Sequence, residues 1–367
     1  MQINKLYIEG FRNYGAQEIA FDGKSNVIFG ENAQGKTNLL EALFYLSCGR
    51  SPRARTDREL IGFEKQNARL KAAVESRERE FTVQIDLQRG KRRQCTINGV
   101  PAKTAAALSD VLHTVFFAPE DLYLIRDGAA ARRRFMDDSL CQLRPRYAAA
   151  LAEYSRLYEH KTRILRDSGE HPSLIDALPD FNERLCQTGA ALIYYRARFC
   201  RSLSDYAARA HRECSGEREE LEAQYRTVST VEDPFAPPEE LADCLRRHQK
   251  EHYEAEIASR LCLSGPHKDE IEVSVNGRSA RQFCSQGQVR TAALSLKLAE
   301  REIHKNALGE YPVMLLDDVF SELDARRQEY VLNRISGGQV FITCCESDRL
   351  DALLRGKILH VRNGEVF

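Results

Sequence analysis

Gly30-Glu31-Asn32-Ala33-Gln34-Gly35-Lys36-Thr37 spaces two glycines by four residues and follows the second with a lysine and a hydroxyl. This is the G-x-x-x-x-G-K-[ST] pattern, in which backbone N–H groups curl around phosphate oxygens and the following helix adds positive potential at its N-terminus. Lys36 would reach the β and γ phosphates of ATP, and the Thr37 hydroxyl would bind Mg²⁺. A plain glycine-rich turn between a strand and a helix is the alternative. The setting favours phosphate: the short apolar run SNVIFG comes before and NLLEALFYL after.

Such a loop needs an acid on its metal side. The apolar run Val313-Met314-Leu315-Leu316 ends in Asp317-Asp318, and the C-terminal end of a buried strand is where an α/β sheet presents its ligands. Asp317 is assigned to the Mg²⁺ shell, and Asp318 to orienting or deprotonating the attacking water. By themselves these acids could equally cap a helix. Ser285-Gln286-Gly287-Gln288, at the head of VRTAALSLKLAEREIHK, is a third element: a small hydroxyl and a glycine at a helix N-terminus, able to receive an anion or merely to cap.

These residues require strands that end at the site and helices that begin there. From Met1 to about Val115 the pattern is period-two, in INKLYIEGF, EIAFD, NVIFG, ARLKAAVES, EFTVQIDLQ and RRQCTING, with Asn98-Gly99 marking a hairpin. One helix interrupts it from Thr37 to about Leu46, with an apolar stripe of Leu39, Leu40, Leu43, Phe44 and Leu46. From about Ala129 to Leu261 long Ala-, Leu-, Arg- and Glu-rich helical segments take over, broken at Pro172 and around Pro234, Pro237 and Pro238. Strand character then returns with a second hairpin at Asn276-Gly277, and the chain closes on helix DARRQEYVLNRI, strand QVFITCC and hairpin KILHVRNGEVF. The expectation is an α/β fold: a discontinuous ATPase lobe, 1–128 with 262–367, holding a P-loop part and an antiparallel β part, interrupted by an inserted helical lobe at 129–261 without a long coiled coil.

The 367 residues are more than one compact core usually needs. The 54 basic and 54 acidic side chains cancel, so any surface for a polyanion must be local. No signal segment or membrane span is visible, and the eleven cysteines contain no C-x-x-C pair. They read as reduced thiols of a cytoplasmic protein.

With the three elements in this order, the sequence resembles the ABC-type ATPases of the SMC and Rad50 class. LYIEGFRNY, GENAQGKTNLLEA, FFAPEDL with ARRRFMD, SGPHKDEI, SQGQVRTAALSLKLAE and LLDDVFSELDARR carry the likeness, and an insert of about 130 residues suits a head-only member acting in bacterial recombination and repair. The resemblance implies Arg12 and Asn13 near the nucleotide. It makes Ser285 to Gln288 the signature that meets ATP on a partner copy, so that ATP drives a homodimer. Ser321 to Asp324 become the loop crossing the seam, and Pro119-Glu120-Asp121 the loop coupling nucleotide to the helical lobe. It also implies non-sequence-specific binding to single-stranded, gapped or junction DNA, and recombinase loading with RecR and RecO.

Departures from the class pattern carry expectations too. Asp318 stands where many members have Glu, which implies slow, weak, DNA-dependent hydrolysis used as a reset. Cys344-Cys345 follow the strand where transport-type members have a histidine, and nearby Thr343 is a candidate γ-phosphate contact. Lys268 and Glu270 replace an expected Arg and Asp.

For DNA, the favoured cations are Arg50, Arg53, Arg55 and Arg58, then Lys91, Arg92 and Arg93, because both groups fall on the strand-rich lobe. Further clusters stand at Arg132 to Arg134 and at Arg246, Arg247 and Lys250. The rival readings are the nucleotide subunit of a transporter, disfavoured by the missing histidine and the atypical SQGQ, and a nuclease-associated head, for which the 43 residues after Asp324 are too few. A small-molecule kinase would leave the signature helix unused.

Overall fold

A computed structural model describes residues 1–345 and 356–367. The chain divides into two compact units, Met1–Tyr123 with Ala293–Phe367, and Leu124–Ala292.

The first unit holds two six-stranded sheets. One is antiparallel and runs Ala16–Ala20, Gln2–Glu9, Asn67–Ser76, Arg79–Gln88, Gln94–Ile97, Val100–Pro101. The other runs Glu365–Val366, Lys357–Arg362, Ser25–Phe29, Val340–Cys344, Val313–Asp317, Thr114–Phe117, and all its pairings are parallel except the terminal hairpin. Its three central strands are buried at every position, as a parallel sheet covered on both faces requires.

The helix Lys36–Cys48 packs in one core with both sheets. That sandwiching is why the expected apolar stripe is too narrow an account: every residue from Leu39 to Cys48 is buried, including Glu41 and Ser47. The two polar side chains are satisfied, Glu41 by Arg12 and Ser47 by the Phe44 carbonyl and the Thr114 hydroxyl. Asn98-Gly99, Asn276-Gly277 and Asn363-Gly364 all turn with both residues at positive φ, the hairpin geometry those dipeptides favour.

The second unit contains the helices Ala129–Leu143, Pro145–Asp167, Leu178–Ser215 and Pro238–Ser259. Pro145 and Pro238 open theirs, in the first turn, where a backbone N–H has no helical acceptor to lose. The expected boundary at 261/262 moves to 292/293. The reason is the strand Leu221–Arg226, unseen in the sequence, which pairs with Glu270–Val275 and ties the whole following segment to the helices.

Two stretches singled out in the sequence meet inside this unit. Arg132 forms a two-pronged ion pair with Glu270, at 2.6 and 2.7 Å, and Arg133 donates to the Asp269 carbonyl at 2.7 Å. Arg132 is therefore a buried structural residue and not part of a basic surface. Beside it, Arg196 bridges Asp137 at 2.8 Å and Asp269 at 2.7 Å, and Tyr225 also donates to Asp269. Asp269 is fully buried, and burial raises its carboxyl above the ordinary value against the pull of Arg196. Arg196→Ala strands these acids, and its expected cost is about 3–5 kcal/mol. A urea titration measures it, and a loss below about 1 kcal/mol would show that water replaces the guanidinium.

Candidate nucleotide site

The strand Ser25–Phe29 delivers Gly30, and the helix starts at Lys36. Gly30 lies so close to the strand Lys357–Arg362 that a Cβ would stand 2.3 Å from the Val361 carbonyl oxygen. Gly35 has φ 121°, and a Cβ there would meet the Asn13 amide at 2.8 Å. Both glycines of the motif are thus demanded by backbone packing as well as by any phosphate.

Neighbours tie down the loop between them. Asn13 donates to the Gln34 carbonyl at 2.9 Å and accepts from Asn38 at 2.8 Å. Gly364 N–H reaches that same carbonyl at 2.9 Å, and Asn363 N–H reaches the Gln34 side chain at 2.7 Å. The Tyr14 hydroxyl holds the Gly35 carbonyl at 3.0 Å. Lys36 curls back so that Nζ donates to the Gly30 and Glu31 carbonyls at 2.5 and 3.0 Å.

Behind the lysine lies a chain of hydroxyls and acids. Thr37 Oγ1 donates to Asp317 Oδ1 at 3.0 Å, Thr343 Oγ1 donates to the same oxygen at 2.8 Å, and Asp318 N–H donates to Thr343 Oγ1 at 2.9 Å. Two motifs 280 residues apart are thereby joined through one carboxylate oxygen. Burial raises both carboxyls, opposed at Asp317 by the two threonine hydroxyls and at Asp318 by the charge of Lys36. A hydroxyl and a carboxylate are hard oxygen donors, so Thr37 and Asp317 fit Mg²⁺. Asp318 is held at φ 50°, an uncommon backbone conformation for a residue with a side chain. Ser321 Oγ bonds its carbonyl at 2.7 Å, and Asp324 caps the helix Ala325–Arg334 that follows.

The structure gives several residues assigned from the sequence partners within the chain. Thr343 is fully buried with its hydroxyl between Asp317 and the Asp318 amide, so it positions the two acids. Arg12 is held by Glu41 through two 2.8 Å bonds and by the Glu59 carbonyl at 2.9 Å, a brace on the P-loop helix. Arg53 is exposed and donates to Asn38 of the P-loop helix at 3.1 Å. Arg93 bonds Tyr45 at 2.9 Å, Asp57 at 3.2 Å and the Gly49 carbonyl, and so it fastens the segment after the P-loop helix. Arg55, Arg58, Lys91 and Arg92 remain as exposed cations, while Arg50 is half-buried.

Cys345 is exposed. Its sulfur accepts from Lys36 Nζ at 3.3 Å and donates to Asn32 Oδ1 at 3.0 Å, at the position the sequence left without a histidine. The roles of Glu41, Asn38 and Tyr14 were missed, as was the hold of the Asn363-Gly364 turn on Gln34; only the acid in a helix start, ENAQGKTNLLEA, offered a signal.

Ser285 to Gln288 belong to the second unit. Gln288 N–H donates to Ser285 Oγ at 3.3 Å while Ser285 N–H donates to Gln288 Oε1 at 2.9 Å, a reciprocal cap on the helix Gln286–Leu308. Gln288 also donates to Glu219 at 2.9 Å. The capping alternative therefore holds locally, and it fixes where the Ser285 hydroxyl stands.

The family model for the RecF/RecN/SMC N terminal domain matches residues 2–363. "DNA replication and repair protein RecF" of Agathobacter rectalis is 38% identical over 100% of this chain and 99% of its own length. The protein of the same description from Lachnoclostridium phytofermentans is 35% identical over 98% and 99%. Among solved structures, the recombination mediator protein RecF of the RecFOR pathway, in its ATP form, superposes with a TM-score of 0.90 at 30% identity, covering 100% of this chain and 97% of that one. The Smc head domain of Pyrococcus furiosus, at 18% identity and a TM-score of 0.54, shares the fold.

Proposed function

This chain belongs to the RecF family, and from that membership we propose an ATP-dependent DNA-binding protein of recombinational repair and replication-fork maintenance. The observation that carries the reading is the shared Asp317 oxygen between Thr37 and Thr343, with Asp318 hung from the same threonine. A plain turn would have no reason to join two hydroxyls and two acids in one network.

In this reading Gly30 to Thr37 hold the phosphates of ATP, Thr37 and Asp317 hold Mg²⁺, and Asp318 positions water. Asp is one methylene shorter than Glu, so water is held less closely and hydrolysis is slow, a reset and not a motor stroke. Two copies close over ATP, each offering Ser285 to Gln288 to the other's nucleotide. The closed pair grips gapped or junction DNA and its single-stranded part without reading bases, and cooperates with RecR and RecO in recombinase loading. Among the described residues no helix is long and apolar enough to cross a membrane, and the working place is the cytoplasm.

Fluorescence anisotropy of a gapped duplex, with and without ATP and Mg²⁺ across a salt series, tests this. Tight binding is expected only with ATP, with a log–log salt slope near 0.9 for each phosphate neutralised on duplex. Replacing Arg55, Arg58, Lys91 and Arg92 together with Ala should flatten that slope. Binding that ignores both ATP and salt would overturn the proposal.

A further inference from the structure

Phe63 is 97% exposed, the most exposed large apolar side chain among the described residues. It sits on a short loop, Gly62 to Gln66, between a bridge at Ile61 and the strand that begins at Asn67. The loop is built to hold its shape. Gly62 N–H bonds the Gly10 carbonyl at 2.8 Å, and Lys65 N–H bonds the Gly62 carbonyl at 2.9 Å. From the neighbouring strand end, the Arg89 guanidinium donates to the carbonyls of Lys65 at 2.8 Å, Gly62 at 3.2 Å and Phe63 at 3.4 Å. Three carbonyls on one guanidinium fix the backbone from which the ring projects.

The surroundings say what the ring would meet. Glu64, Lys65, Gln66 and Asn67 are all exposed and polar, so Phe63 is no part of an apolar patch of the kind that seats a protein partner. Asn67 pairs with Gln88 in the sheet register, which brings the loop and the turn bearing Lys91 and Arg92 to the same sheet end. A shallow groove of about 410 Å³ there is lined by the cations Lys91 and Arg92, by the Arg69–Asp86 ion pair and by one further acid, Glu9. Arg55 and Arg58, in the segment leading to the loop, add exposed positive charge. An isolated, rigidly mounted π face beside phosphate-seeking cations suits an unpaired nucleobase, because every base offers a face for stacking while its backbone seeks the cations.

We propose that Phe63 is a base-stacking platform for single-stranded DNA, with Lys91 and Arg92 receiving the neighbouring phosphates. The proposal rests on the DNA-binding reading and specifies which strand is recognised. It makes the single-stranded stretch of a gap, not the duplex, the part that touches this end of the sheet.

Photocrosslinking tests it with 5-iododeoxyuridine placed along the single-stranded part of a gapped duplex, in the presence of ATP and Mg²⁺, with anisotropy measured alongside. In the wild-type protein the adduct should fall on the peptide carrying Phe63. Phe63→Ala should lose that adduct and weaken binding to single-stranded and gapped DNA about tenfold with the salt slope unchanged, since no charge is removed. Phe63→Tyr should keep both, and blunt duplex should bind the wild type and Phe63→Ala alike. Being almost wholly exposed, the ring can be removed without loss of core, which the thermal midpoint will verify. If the wild type crosslinks only elsewhere, or Phe63→Ala binds gapped DNA as the wild type does, the platform is refuted. If the wild type binds no DNA at all, the functional reading itself has failed, a result distinct from the first.

Discussion

Lys36→Ala is expected to weaken ATP binding by at least an order of magnitude, while leaving the fold intact. The side chain is buried, and it is the cation aimed into the loop, with Nζ resting on the Gly30 and Glu31 carbonyls. Those two carbonyls point at the same place, so without the ammonium the loop would present partial negative charge to a triphosphate. The loss therefore has two parts, a missing charge-assisted contact and an uncovered repulsion. Together they are worth about 2–4 kcal/mol, or roughly thirtyfold to a thousandfold in affinity.

The fold should survive this change because the loop is held by others: Asn13, Tyr14 and the Asn363-Gly364 turn all grip its backbone, and none of them needs Lys36. Calorimetric titration with ATP and Mg²⁺ reads the affinity, and the melting temperature without nucleotide reads the fold. Unaltered affinity would place the triphosphate elsewhere. A large drop in melting temperature would mean that the lysine serves the loop's own structure before it serves a ligand.

What the sequence made legible, and what it hid, divides along physical lines. Local signals survived: the Asn-Gly turns, the prolines opening helices, the period-two strands and the glycine-lysine-threonine run all act through nearest neighbours, so a one-dimensional reading can find them. Interactions closing over long separations stayed hidden. Nothing near Gln34 announces that Asn363 and Gly364, at the other end of the chain, will pin it. Charge alone left partners open. Only the fold shows that the guanidinium groups of Arg12, Arg93 and Arg132 are each also held by acids, a hydroxyl or carbonyls of their own chain. Arginine is suited to that use because its planar fork matches paired oxygens. The strand Leu221–Arg226 shows the opposite failure: LEAQYR alternates apolar and polar at every position, as its alternating burial reflects, but so short a signal between long helices was passed over, and its partner lies some fifty residues on.

The second large effect concerns mass. ATP and Mg²⁺ should raise the 41.8 kDa chain to twice its mass in light scattering, and two substitutions should separate pairing from chemistry. Asp318→Asn keeps the shape of the side chain and suits the left-handed backbone at φ 50°, which asparagine tolerates well. It removes the negative charge that would orient or deprotonate water. The pair should form and then persist, with hydrolysis too slow to release it.

Ser285→Arg acts on the other face. The serine exchanges two hydrogen bonds with Gln288 at the head of a 23-residue helix, so its loss frays one turn at about 1 kcal/mol, which the fold can bear. An arginine in its place sets bulk where a partner's triphosphate would approach, and the chain should bind ATP at wild-type affinity yet stay monomeric. The combination matters more than either result alone, since only a two-copy site predicts that Lys36→Ala and Ser285→Arg both fail to pair while just one of them fails to bind. A mass that never changes, with ATP bound, would leave the signature as nothing more than a helix cap and make each chain a self-sufficient nucleotide site.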